Sequence, residues 1–173
     1  MTGDIRKLQD IYTRHLKSAA MPLPRIIHVE TRSKCNGLCK FCPAAATTDM
    51  REDIRMELGL IKKIINELGM LDYHNRLSFY NNNEPFLDER IFEIIRMARE
   101  RLPRAYLELK SNGIALNIDK ICQIFNCGLD MLYINYHSAN ADTVNNIQRI
   151  ISDLNNSANT SPLLIGTVYH IKS

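Results

Sequence analysis

No apolar run in this 173-residue chain approaches the roughly 18–20 residues that a bilayer-spanning helix needs. The first residues mix acid and base (Asp4, Arg6, Lys7, Asp10) and lack the apolar block of a secretory signal. Excess charge is missing too. With 22 Lys and Arg against 19 Asp and Glu, the net charge is +3, and the basic residues are too scattered to form a nucleic-acid patch. No linker or low-complexity segment divides the chain. The five cysteines are an odd number, three of them clustered, so a disulfide framework is not expected. The expectation is a reducing, cytoplasmic setting with a metal site, no membrane and no nucleic acid as partner. What is present suffices for one domain with a core: apolar residues make up 45% of the chain.

Strand-like and helix-like segments alternate. Residues 4–18 are amphipathic, with Ile5, Leu8, Ile11, Tyr12 and Leu16 near a helical period, and Pro22 and Pro24 end that pattern. Strands are predicted at 25–30, 76–80, 105–110, 131–136 and 163–171. Helices are predicted at 56–68, 88–101, 118–126 and 141–154, with Gly69 and Cys127-Gly128 as stops and Asp88 as an N-cap. Strands separated by helices at this spacing imply βαβ units and a parallel sheet. About five units fit after the N-terminal helix, fewer than the eight of a closed barrel of about 250 residues. The choice left is a partial barrel or a doubly wound sheet. The end at Ser173 leaves a strand without a covering helix, so the chain is read as a fragment or as covered by a partner.

Each polar cluster falls where a strand ends, the place where parallel α/β folds hold ligands. These are Cys35 to Cys42, Asn81-Asn-Asn-Glu-Pro85, Ser111-Asn-Gly113 and Asn135-Tyr-His-Ser138. The three cysteines admit three readings. Three thiolates on a polar loop suit an iron–sulfur cluster with one iron left free. Zinc is the second, since His28 or His137 could complete a tetrahedron, although no second ligand pair appears. Packing alone is the third, and Lys34, Asn36 and Lys40 make the loop too polar for it. Cys122 and Cys127 sit in an apolar helix pattern and are read as core. On strand one, His28 and Glu30 share a face. This suggests either a polar interior near a substrate or a structural hydrogen-bonded pair.

The run Cys35-x-x-x-Cys39-x-Phe41-Cys42 resembles the signature loop of the radical S-adenosylmethionine (SAM) enzymes, and the resemblance extends from about Arg25 to the C-terminus. It implies an α/β fold: a partial parallel (β/α) barrel of the radical SAM type, with residues 1–24 as an N-terminal helical extension and 25–173 as the core domain. It implies a [4Fe-4S] cluster held by Cys35, Cys39 and Cys42, with SAM chelating the unique iron. Asn82-Asn83-Glu84-Pro85 stands at the family's Gly-Gly-Glu-Pro-like turn, which binds the methionine amino group. Two asparagines replace two glycines there, a change left-handed backbone angles tolerate. Asn112 matches the Asn of a Thr-Asn-Gly turn near the cosubstrate. Asn135 takes the place of a serine that touches the ribose or methionine, Phe41 packs near adenine, and Gly166 lies in the strand-five adenine contact.

The implied activity is reductive cleavage of SAM to a 5′-deoxyadenosyl radical that abstracts hydrogen from an unidentified substrate. A one-electron donor such as flavodoxin or ferredoxin would supply it. The motif set is most like the branch of dehydrogenases and peptide-maturing enzymes whose C-terminal segments carry auxiliary clusters. No general acid or base is assigned. The rival reading is a non-catalytic module that holds a cluster or SAM within a larger assembly.

Overall fold

The computed structural model describes residues 22–39 and 41–135, with Asp10, residues 145, 147–150 and 152–153, and the backbone of 165–168. The expected N-terminal helix at 4–18, the loop at 155–161, Tyr136 and His137 lie outside the described residues. Inside them the elements run β1 (Ile26–His28), α1 (Leu58–Met70), β2 (Arg76–Ser78), a 3-10 turn (Pro85–Leu87), α2 (Ile91–Arg101), β3 (Tyr106–Ser111), α3 (Ile118–Asn126), β4 (Met131–Asn135) and β5 (Ile165–Val168). Residues 145, 147–150, 152 and 153 are helical and follow β4. Four βα units therefore stand in the described residues, one fewer than the five expected, because nothing after β5 falls within them.

All neighbouring strands pair in parallel, and their spatial order is the chain order, β1-β2-β3-β4-β5. A doubly wound sheet reverses direction at a switch point. This one never reverses, which selects the partial barrel. Register then sorts the side chains, because residues paired across parallel strands point to the same side. Leu77, Leu107, Leu109, Leu132 and Ile134 line one face, and all are buried. They pack with Ile61, Ile65 and Leu68 of α1, Ile91, Ile94, Ile95 and Ala98 of α2, and Ile121 and Ile124 of α3. Those helix positions recur at three and four residues, the stripe that an amphipathic helix buries. Each buried Leu or Ile contributes roughly 1.5–3 kcal/mol.

The other face reads Ile26 and His28 on β1, Arg76 and Ser78 on β2, Tyr106, Glu108 and Lys110 on β3, and Met131, Tyr133 and Asn135 on β4. It is the polar, concave side.

Two boundary signals act differently from the sequence reading. Gly69 does not stop α1; it lies inside the helix, against the Arg101 side chain. The turn is made by Asp72 in the left-handed region, at φ 51°. Asp88 is not the N-cap of α2, which is Arg90. The Asp88 carboxylate still accepts the Arg90 backbone N–H at 3.2 Å and its guanidinium at 2.8 Å, so it organises the start of the helix from two residues upstream. The strand expected at 25–30 is shorter because Glu30 turns away to the loops.

Candidate functional site

The loop after β1 carries Cys35, Cys39 and Cys42 as free, half-buried thiols. A Cβ placed on Gly37 would lie 3.4 Å from Cys35 Sγ, 3.7 Å from Cys39 Sγ and 3.4 Å from Asn112 Nδ2. Two thiols and an amide thus crowd a backbone position that has no side chain. The Gly37 N–H donates to Cys35 Sγ at 3.3 Å, and Asn112 Nδ2 lies 3.6 Å from the same sulfur and donates to Asn36 Oδ1 at 2.8 Å. Burial pushes the Cys35 thiol up, while those two donors work against the rise. Hydrogen bonds from Cys42 N to Cys39 O at 3.0 Å and from Ala46 N to Gly37 O at 2.9 Å close the loop on itself. Phe41, on the same loop, is 68% exposed.

The three thiols fit a cubane cluster in number and in donor chemistry. Among the described residues, no three His, Cys, Asp or Glu side chains stand close enough to hold a metal ion as they are. His28, one of the two candidate fourth zinc ligands, shares a 3.2 Å hydrogen bond with Tyr80 O through Nδ1 and meets the Tyr80 ring edge-on at 5.1 Å. The other, His137, lies outside the described residues.

Glu84 ties three loops together. Its backbone N–H donates to Lys34 O at 3.0 Å, beside the first cysteine. Its carboxylate is sealed from solvent and accepts from Asn112 N at 2.7 Å, Ser111 Oγ at 2.8 Å and Phe86 N at 3.2 Å. Burial pushes this carboxyl up to about 7 against the pull of those donors. The side chain that the motif assigns to the cosubstrate is therefore already engaged within the protein.

Asn82 is held from both sides. Glu30 Oε2 accepts its N–H at 2.8 Å, and Arg51 Nη2 donates to its carbonyl at 2.7 Å. Arg51 also pairs with Glu30 at 2.7 Å and Asp49 at 2.9 Å. Asn83 Oδ1 accepts Asn81 N at 2.9 Å, and its Nδ2 is buried without a partner among the described residues. Residues 82–84, Asn112 and the first two cysteines thus form one connected rim. A cavity of about 450 Å³ opens beside it, lined by Pro43, Ala44, Thr48, Met50, Arg51 and Asn82.

Asn135 stands on the polar face of β4, and its Oδ1 is buried without a partner among the described residues. Gly166, on β5, pairs with Tyr133. The expected polar face of strand four thus holds for Tyr133 and Asn135. Phe41 is exposed on the cysteine loop.

Several members of the site were not picked out from the sequence. Arg51 secures the 82–84 turn, while Ser111, already part of the Ser-Asn-Gly cluster, secures the turn after β3. Deeper on the concave face, Tyr80 OH donates to Glu108 Oε1 at 2.9 Å, and Arg76 Nη1 lies 3.3 Å from Glu108 Oε2 outside hydrogen-bonding geometry. Lys110 Nζ sits 5.4 Å from the Tyr80 ring centre and 5.7 Å from that of Tyr133. The signal that could have found them is the alternation Tyr106-Leu-Glu-Leu-Lys110. Strands of a parallel sheet covered on both faces read as continuous apolar runs, so charges at every second position mark a face that helices do not cover.

Comparison with known proteins gives consistent matches. The S-adenosyl-L-methionine-dependent 2-deoxy-scyllo-inosamine dehydrogenase of Niallia circulans is 28% identical over 113 residues, which are 65% of this chain and 45% of that enzyme. The crystal structure of BtrN in complex with AdoMet and 2-DOIA superposes with a TM-score of 0.72 at 24% identity, over 86% of this chain and 58% of that one. The structure of anSMEcpe with bound AdoMet gives 0.62 at 12% identity, over 82% and 43%. The chain spans about half the length of these relatives. The family model described as the Radical SAM superfamily matches residues 29–159. With that span, its parallel partial barrel and its cysteine loop, the chain belongs to the radical SAM superfamily.

Proposed function

We propose that the chain is the core of a radical SAM enzyme, with Cys35, Cys39 and Cys42 holding a [4Fe-4S] cluster and the adjoining rim holding SAM. The observation that carries this reading is the convergence of Cys35, Cys39 and Asn112 around Gly37, with Glu84 binding the same loops together. When bound and reduced by a one-electron donor such as flavodoxin or ferredoxin, the cluster and SAM supply a 5′-deoxyadenosyl radical that removes hydrogen from a substrate carbon.

The chain's own residues prepare the place. Glu84 fixes the spacing between the cysteine loop and the Asn112 turn. Glu30 and Arg51 hold the backbone of Asn82, so that the 82–84 turn is fixed beside the cysteine loop, where it would meet the methionine amino group. Asn135 and Gly166, on the fourth and fifth strands, are the contacts for the rest of SAM, and Phe41 covers the adenine side. The concave face below the rim positions the substrate carbon and limits water, which is the protein's share of such chemistry. Because the relative from Niallia circulans is named as a dehydrogenase of an aminocyclitol, a carbon bearing a hydroxyl is the first substrate position to test.

Anaerobic reconstitution with iron and sulfide, followed by SAM and dithionite, tests the reading. The expected result is a [4Fe-4S] absorbance spectrum with release of 5′-deoxyadenosine, both lost in Cys39→Ala. A cluster with no SAM cleavage under strong reduction would leave the non-catalytic module instead. Stoichiometric zinc would sink both.

A further inference from the structure

We infer that Lys110, held between Tyr80 and Tyr133, is the substrate-anchoring residue of this chain, and that the group it takes is a hydroxyl of a small, non-anionic polyol or amino polyol. This rests on the proposed radical SAM reading, in which the substrate lies against the concave face. Lys110 and Tyr133 are register partners, so both side chains stand on that face, in the half of the sheet nearest the cysteine loop. The ammonium lies over two aromatic rings, at 5.4 and 5.7 Å. Among the described residues it makes no salt bridge; the ion pair of this face is Arg76 with Glu108. Cation–π contact orients an ammonium without using up its N–H donors, so Lys110 is aimed and still has protons to give.

The second observation is of the opposite polarity. Glu108 Oε2, two residues and so roughly 7 Å back along β3 from Lys110, is a buried acceptor without a hydrogen-bond partner among the described residues. A buried polar atom left unpaired is costly, so such an atom marks a missing partner. The face therefore offers a donor and an acceptor together. A hydroxyl satisfies either, and a molecule with several satisfies both. A phosphate or carboxylate would satisfy Lys110 but set its charge against the buried Glu108.

Glu108 is a positioning residue in this arrangement. Its Oε1 accepts the Tyr80 hydroxyl, which fixes the ring that Lys110 leans on.

Isothermal titration of the protein carrying its cluster and SAM tests this, with myo-inositol, 2-deoxy-scyllo-inosamine and inorganic phosphate as probes. At least one of the two cyclitols should bind, and phosphate should not displace it. Lys110→Met should weaken cyclitol binding by tenfold or more, the loss of one hydrogen bond to a charged group, while SAM affinity stays unchanged and shows that the variant is folded. Lys110→Arg should recover part of the loss, and Lys62→Met, on an exposed face of α1, should have no effect. Equal cyclitol affinity in Lys110→Met overturns the inference, as does preferential binding of phosphate. Release of 5′-deoxyadenosine with neither cyclitol bound overturns it and leaves the radical SAM reading standing. Cyclitol binding that depends on Lys110, with no SAM cleavage, supports the anchor and removes the radical SAM reading.

Discussion

Glu84 is a carboxylate closed off from solvent and met only by donors: the N–H groups of Phe86 and Asn112 and the hydroxyl of Ser111. Burial raises its pKa from 4.5 to about 7. An acid raised in this way binds more protons folded than unfolded between those two values. Stability therefore falls as pH rises through that window, by at most ~1.4 kcal/mol per pH unit and on the order of 3 kcal/mol in total. Urea unfolding of the cluster-free protein at pH 5 and pH 8 should show this decline, and Glu84→Gln should lack it. The same variant should lose about 1–3 kcal/mol at pH 5, because an amide NH₂ replaces one acceptor and faces a donor. Cys39→Ala should leave urea stability within about 1 kcal/mol of the parent when no iron is present, since the thiol is only half-buried. It should nevertheless lose the iron bound per chain after reconstitution. A large fall in cluster-free stability would show instead that Cys39 is a packing residue.

At the level of elements, the turns carry much of what positions the rim. The Asn117 side chain accepts Lys120 N at 2.9 Å and caps α3. Asn117→Ala should cost about 1 kcal/mol in chemical denaturation. Gly113 follows Asn112 with φ at 81°, and a Cβ there would come within 2.6 Å of Ile147 Cδ1 and 3.0 Å of Ile134 Cγ2. Gly113→Ala should therefore destabilise by about 1–3 kcal/mol and also weaken SAM binding by displacing Asn112; retained SAM affinity would separate the turn from the site. The helix stripes were readable from the chain because each needs only its own period. Gly69 and Asp88 were misplaced because both depend on partners far along the chain or on the neighbouring turn. A glycine ends a helix only when the backbone there goes left-handed, and here Asp72 does so three residues later.

For the whole molecule, loading is expected to stabilise by linkage. SAM at one hundred times its dissociation constant should add about 2.7 kcal/mol to the stability of the cluster-bearing protein, measured by urea unfolding, and nothing to Cys35→Ala. The cysteine spacing, the order of strands and helices and the polar clusters after the strands were all legible along the chain, because ligand type, hydrophobic period and turn chemistry are local properties. They were enough to indicate the family and the rim of the site. The sequence alone did not choose between a partial barrel and a doubly wound sheet, since that depends on which strands become neighbours. It also gave no sign that Glu84 is consumed by Ser111 and by the backbone, or that Lys110 lies between Tyr80 and Tyr133. Those partners lie 27 or 28 and 23 to 30 positions apart, and only parallel register, which places one strand's side chains beside the next strand's, brings them together.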